Sequence, residues 1–109
     1  MTEFDGLPRD DPKSSRSRLR EALLSDADPE GERTVFLNDE IINDYDGMIA
    51  EAGGLDLAIL GVGPRGRIGC NEPGTPFDAE THRQKLTKAT KRELDPLFGG
   101  EELVPDFGC

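Results

Sequence analysis

A glycine-rich loop carries the residues of this chain that are best suited to chemistry. Gly61, Gly63 and Gly66 lack the Cβ atom that disfavours positive φ and close backbone approach, so the loop can fold tightly around a small ligand. Arg65 and Arg67 stand among these glycines. Two guanidinium groups on such a loop would clamp a phosphate or a carboxylate. The alternative is that both arginines reflect drift in a sequence no longer selected for catalysis.

The three glycines also have the G-x-G-x-x-G spacing of a dinucleotide-binding loop. That fingerprint requires a helix to begin at the third glycine, so that the amino end of the helix meets the pyrophosphate. Residues 67–74 contain two glycines and a proline, which disfavour a helix. We therefore predict neither a dinucleotide nor any other cofactor.

The elements that would position the loop form a βαβ unit over residues 33–60. Leu55 to Leu60 is a short apolar run next to glycines, typical of a strand buried in a parallel sheet. Arg33 to Leu37 is predicted as the preceding strand. The intervening helix begins after Asn38 or Asp39 and ends at Gly53. Its apolar face has helical spacing and consists of Ile41, Tyr45, Met48, Ile49 and Ala52.

This pattern predicts an α/β fold containing part of a doubly wound, Rossmann-like parallel sheet, in which ligands bind beyond the carboxyl ends of the strands. A first helix is expected over residues 12–24, capped by Asp11. An edge strand is expected within residues 81–87, followed by a helix over 87–97 that ends at Gly99. The last nine residues are predicted to lead into another strand.

Composition sets bounds on the size of the core and on the partners. The 109 residues form one domain at most, and the formal net charge of −10 disfavours binding to nucleic acid or an anionic membrane. No apolar run approaches membrane-spanning length, so we expect a soluble, cytoplasmic protein. Arg16, Arg18 and Arg20 cluster, but their spacing spreads them around a helix, which indicates a solvated face. Cys70 and Cys109 have no metal-ligand spacing.

The motifs around the loop resemble those of the glucosamine-6-phosphate deaminase/isomerase family. Residues 60–74 read LGVGPRGRIGCNEPG, against the family signature L-G-[IV]-G-x-[DN]-G-H-I-[AG]-F-N-E-P-G. The opening MTEFDGLP resembles the family's M-D-E-Y-x-G-L-P, and GGLDL and PGTPF match its usage. The resemblance covers nearly all of the chain but less than half of the family's usual length. The family's phosphate loop and phosphate-binding lysine fall outside it.

The resemblance implies conversion of glucosamine 6-phosphate to fructose 6-phosphate and ammonia. The family's ring-opening histidine falls on Arg67, an acidic residue two positions earlier falls on Arg65, and the proton-transferring aspartate falls on Thr2. Only the glutamate is retained, as Glu72. An arginine stays charged and offers no acceptor, so neither arginine can act as a base or proton shuttle. Glu72 would either bind ligand or satisfy N–H groups of the loop.

Three hypotheses follow from these substitutions. The first is a family fragment that is inactive as it stands. The second is a non-catalytic module that binds a sugar phosphate through Arg65, Arg67 and Asn71, and the third is an enzyme of altered chemistry. His82 is predicted to be a surface or phosphate-proximal residue, and Cys70 an apolar filler. Exposed strand edges would favour homo-oligomers or association with a missing remainder.

Overall fold

The computed structural model describes residues 3–109; Thr2 lies outside them. Within this range, four α-helices and two short strands are joined by irregular segments. The helices are α1 (Ser15–Leu19), α2 (Ser25–Ala27), α3 (Tyr45–Glu51) and α4 (Lys88–Phe98), and the strands are β1 (Gln84–Lys85) and β2 (Phe107–Gly108). A π-helical turn (Arg20–Leu24) joins α1 to α2, and 3-10 turns lie at Pro64–Gly66 and Glu101–Leu103. Among the described residues, no helix is long and apolar enough to cross a membrane.

The small sheet joins the two ends of the described chain. β1 and β2 are antiparallel, with Gln84 opposite Gly108. On the other side of β2, Glu3 and Cys109 exchange backbone hydrogen bonds of 2.8 and 2.9 Å. Phe4 also forms an isolated antiparallel bridge with Gly108. The predicted edge strand within residues 81–87 is thus confirmed, although it is only two residues long. The last nine residues, predicted only to lead into a strand, themselves contain β2.

The core lies between this sheet and α4. Phe98, at the end of α4, is 3% exposed and packs with Leu86 and Val104. The ring of Phe4 meets that of Phe98 edge to face, with centroids 5.3 Å apart. Thr87 caps α4 by accepting from the N–H of Thr90, and Gly99 ends it with φ of 79°. The predicted helix over 87–97 is therefore confirmed.

The first helix begins three residues later than predicted. The Ser14 hydroxyl accepts from the Ser17 N–H at 3.0 Å, so Ser14 rather than Asp11 is the N-cap. The Glu3 carboxylate accepts from the N–H groups of Ser15 and Arg16 at 3.0 and 2.9 Å. Asp11 instead accepts from Lys13 N–H in the preceding turn. A cap supplied by a distant carboxylate cannot be recognised from the local sequence.

The central helix has the predicted end but not the predicted start. Asn38 accepts from the N–H groups of Glu40 and Ile41, which closes a turn, and helical backbone begins only at Tyr45. At the other end Gly53 has φ of 95°, and Gly54 N–H bonds to the Ile49 carbonyl at 2.9 Å. This pair forms a Schellman motif. The stop at Gly53 is confirmed.

The strands predicted at Arg33–Leu37 and Leu55–Leu60 are not formed. The prediction of a βαβ unit is therefore wrong for the described residues. Among the described residues no backbone hydrogen bond joins either segment to another. Leu57 and Ile59 are 76% and 89% exposed instead of buried. A strand requires a neighbour for its N–H and C=O groups, and here none lies alongside. The sheet that is present is antiparallel, not parallel.

Candidate functional site

The glycine-rich loop folds into a small hairpin. Val62 pairs with Ile68, and Gly63 N–H donates to the Arg67 carbonyl at 2.7 Å. The Pro64–Gly66 turn forms the tip, where both Arg65 and Gly66 have positive φ, 66° and 77°. The backbone after Gly66 is extended rather than helical, with ψ of 130° at Arg67. No dinucleotide-type helix follows the third glycine in this part of the structure.

Gly63 permits a close approach that a side chain would block. A Cβ atom there would lie 2.9 Å from Arg67 Nη2 and 3.0 Å from Glu93 Oε1. These two atoms form an ion pair of 2.9 Å that ties the loop to α4. The space around Gly61 and Gly66, by contrast, is open. Gly63 therefore allows close packing, as predicted for the glycines of this loop. The group packed against it is the ion pair of Arg67 and Glu93, however, and not a ligand.

The Arg67 guanidinium is engaged within the protein. Its Nη1 donates to the Gly69 carbonyl, its Nη2 pairs with Glu93, and the side chain is only 12% exposed. The buried Nε atom has no hydrogen-bond partner in the described chain. Glu93 lies 26 residues from Arg67 and carries no motif that would have predicted this contact. Arg67 therefore connects the loop to α4.

Arg65 and Asn71 face the solvent. Arg65 forms no ion pair with any residue that the structure describes, and its side chain is exposed. Asn71 is exposed as well, while its backbone N–H donates to the Ile68 carbonyl at 3.0 Å. Both residues, with Gly66 and Glu72, line a cavity of about 290 Å³ beside the loop. Four of the predicted site residues thus line the same cavity.

Glu72 is buried beside the amino end of α4. Its Oε1 accepts from the Thr87 N–H at 2.9 Å, and its Oε2 accepts from the Thr87 hydroxyl at 3.3 Å. Thr87 is the N-cap of α4, where a negative charge is favoured by the helix dipole. One of the two roles predicted for Glu72 is to accept hydrogen bonds from backbone N–H groups of the loop. Glu72 does accept from a backbone N–H, but that N–H belongs to Thr87 at the helix cap and not to the loop.

Hydrogen bonding keeps the Glu72 carboxylate ionised. Burial by itself raises the pKa of Glu72, but hydrogen bonds from Thr90 and Thr87 and the charge of Arg67 outweigh it. The net effect lowers the pKa below its ordinary value. A general base that works at neutral pH needs the opposite shift. In this arrangement Glu72 is a stable acceptor of hydrogen bonds.

His82 lies near Glu72 but is held by its own neighbours. Its Nδ1 is 2.6 Å from the Glu80 carbonyl oxygen, and its Nε2 is 3.4 Å from Gln84 Oε1. Glu72, His82 and Gln84 line a second, open cavity of about 510 Å³. The half-buried position of His82 agrees with the predicted surface role.

Cys70 is packed against the small sheet. A Cβ on Gly108 would lie 2.6 Å from the Cys70 sulfur, so the thiol fits against glycine backbone. Burial, followed by the proximity of Cys109, raises the pKa of Cys70 to about 11. A thiol of that pKa is protonated at neutral pH and is a poor nucleophile. Its environment agrees with the predicted role of apolar filler.

Known structures and sequences resemble this chain over almost all of its length. One solved structure, of a monomeric glucosamine-6-phosphate deaminase described as a missing link of the NagB superfamily, superposes with a TM-score of 0.83. The match has 28% sequence identity and covers 99% of this chain and 47% of the solved one. The fold is therefore that of the NagB superfamily, an α/β class. No family model matches the chain.

Relatives found by sequence give a more specific match than the superfamily. The glucosamine-6-phosphate deaminases of Shouchella clausii and Rhodopirellula baltica are each 38% identical over 111 aligned residues, and that of Halalkalibacterium halodurans is 36% identical. Each match covers 96% of this chain but only 44–45% of the relative. The chain belongs to the glucosamine-6-phosphate deaminase family as a partial-length member. It spans less than half the length of the relatives it matches.

Proposed function

We propose that this chain is a glucosamine-6-phosphate deaminase-like protein that does not catalyse the family reaction by itself. The main support is the environment of the two charged groups nearest the loop. Arg67 stands at the position of the family's histidine and is paired with Glu93, while Glu72 is hydrogen-bonded to the start of α4. The Arg67 guanidinium offers no proton acceptor. The pKa of Glu72 is lowered, whereas a general base that works at neutral pH needs a raised one.

A second candidate function is non-catalytic binding of a sugar phosphate. It is favoured by the cavity of about 290 Å³, in which the exposed guanidinium of Arg65 and the amide of Asn71 lie beside Gly66. Arg65 has no ion pair in the described chain and is available for a phosphate. Glucosamine 6-phosphate is the ligand we propose, in the cytoplasm and without a cofactor.

Incubation of the purified chain with millimolar glucosamine 6-phosphate tests both proposals. We expect ammonia release at the rate measured without protein, because no described group can open the sugar ring. Release above that rate would contradict the first proposal. In the same mixtures, a ligand that binds only the folded chain raises the midpoint of thermal unfolding. We expect such a rise if the second proposal holds.

The matched control for binding is a pair of arginine variants. Arg65→Ala removes the exposed guanidinium from the cavity, whereas Arg18→Ala removes an exposed guanidinium from α1 that does not line it. Only Arg65→Ala should abolish the rise in midpoint. An equal loss in both variants, or a rise that persists in Arg65→Ala, would contradict binding at the loop.

We further propose that segment 55–60 becomes a strand of a Rossmann-like parallel sheet when it pairs with another polypeptide segment. Four large apolar side chains there are more than half exposed: Leu55, Leu57, Ile59 and Leu60. Their backbone groups lack intramolecular backbone partners in the described chain. The pairing segment would be either a second copy or the part of the family fold that the match does not cover.

Light scattering of the purified chain distinguishes these two partners. A second copy predicts a dimer or higher oligomer that dissociates when Ile59 is replaced by lysine. A monomer that also fails to bind a polypeptide corresponding to the remainder of the relatives would contradict the proposal.

A further inference from the structure

A third cavity, remote in sequence from the glycine loop, is lined by three arginines. It has a volume of about 280 Å³ and lies between the first helical segment and residues 31–41. Arg9, Arg16 and Arg20 line it, and none of its lining residues is acidic. The chain contains 23 acidic residues, so a cavity lined by arginine without a carboxylate is unusual for its composition. This local positive charge favours an anion.

The arginines are held in place without being neutralised. The Arg16 guanidinium lies 4.9 Å from the centroid of the Phe36 ring, a cation–π contact that leaves the N–H groups at its edge free. Arg20 Nη2 donates to the Pro29 carbonyl at 3.2 Å, which uses one of its five N–H donors. None of the three arginines forms an ion pair within residues 3–109.

The helical spacing explains why two of the three arginines in this segment line the cavity and the third does not. Arg16 and Arg20 are four residues apart and lie on one face of the first helical segment. Arg18, between them, is exposed and does not line the cavity. Arg18 and Arg20 are both exposed, as expected for a solvated face, but Arg20 also lines the cavity together with the half-buried Arg16.

The remainder of the lining identifies the kind of ligand. Val35 and Met48 also line the cavity and are 48% and 37% exposed, so they add apolar surface to a lining that contains the charged groups. The volume is just below the usual range for small-molecule sites, about 300–1,000 Å³. An anion that fits is small and carries an apolar part. Guanidinium groups bind phosphate in bidentate fashion.

We propose that this cavity binds a small organic phosphate monoester. The phosphate contacts Arg16 and Arg20, and the carbon portion of the ligand lies against Val35 and Met48. This site is separate from the cavity beside the glycine loop, because the two cavities share no lining residue. Its occupancy is therefore independent of the loop function proposed above.

Calorimetric titration of the full chain with phenyl phosphate tests the site, with inorganic phosphate and phenol as the two partial probes. We expect saturable binding that is strongest for phenyl phosphate. Arg20→Gln should raise the Kd about tenfold or more, since a hydrogen bond to a charged group contributes roughly 1.5–3 kcal/mol. Arg16→Gln should have a similar effect. Arg18→Gln, the matched control on the same helix, should change the Kd less than twofold.

Circular dichroism of each variant verifies that it is folded. Arg20 is exposed, so Arg20→Gln keeps the test valid even if loss of the contact between Arg16 and Phe36 destabilises Arg16→Gln. The absence of saturable binding would overturn the proposal. So would equal weakening by Arg18→Gln and Arg20→Gln, which would indicate general charge attraction. A loss of phenyl phosphate binding in Arg65→Gln would assign the binding to the loop and would also overturn the proposal.

Discussion

Replacing Phe98 by alanine should lower the free energy of unfolding by about 3–5 kcal/mol. Phe98 is 3% exposed and joins α4 to the small sheet, and its ring meets that of Phe4 at 5.3 Å. Deleting the ring removes buried apolar area and leaves a cavity that the two short strands cannot fill. Typical domains have about 5–15 kcal/mol of stability in total. The variant should therefore be largely unfolded at moderate temperature, as measured by urea titration followed by circular dichroism.

Phe77 provides the matched control for this substitution. It is fully exposed and has the same side chain, so Phe77→Ala removes the same atoms without opening a cavity. We expect a change within about 0.5 kcal/mol, as for most surface substitutions. Equal losses of stability in the two variants would show that Phe98 is not the centre of the core.

Replacing Glu72 by alanine should lower the free energy of unfolding by about 2–3 kcal/mol. The change leaves the Thr87 N–H without its acceptor and removes a negative charge from the amino end of α4. Glu72→Gln keeps one acceptor oxygen and should lose less stability. Glu80→Ala, at an exposed position that lines the same cavity of about 510 Å³ as Glu72, is the control and should be nearly neutral. A Glu72→Ala variant as stable as Glu80→Ala would refute the capping role.

The pH dependence of stability gives a second test of Glu72. Because its pKa is lower in the folded chain than in the unfolded one, its contribution is present above the unfolded pKa of about 4.3 and is lost as the pH falls through the folded pKa. Glu72→Gln should therefore lose less stability between pH 5 and pH 3 than the unmodified chain, by urea titration at each pH. Some acid dependence will remain, because hydrogen bonds also lower the pKa values of Asp28 and Asp46. An unchanged acid dependence in Glu72→Gln would contradict the assignment.

The contacts of Glu72 bear on the role that the motif resemblance predicts for it. The resemblance implies that Glu72 is the family's retained glutamate, in a chain whose neighbouring positions carry Arg65 and Arg67. Its contacts are with the backbone and hydroxyl groups of α4, so its retention does not require catalysis. A retained family residue is therefore weak evidence for activity when its partners are replaced.

Several features of this protein were determined by short stretches of sequence. The stops at Gly53 and Gly99 and the start of a helix near residue 87 were predicted, and the structure has them, with Thr87 as the N-cap. Each depends on a few consecutive residues, because glycine adopts positive φ at little cost and a threonine hydroxyl reaches an N–H three residues ahead. The family motif was likewise readable, since it is contiguous.

Other features were decided only by tertiary structure. The Glu3 carboxylate accepts from the first two N–H groups of α1, which are 12 and 13 residues away, and Glu93 pairs with Arg67 across 26 residues. Segment 55–60 has the composition of a buried strand, yet it stays exposed because no described segment lies beside it to complete its hydrogen bonds. A cap or a turn is satisfied by its own neighbours in sequence. A strand or an ion pair depends on a partner that only the folded chain, or another chain, brings alongside.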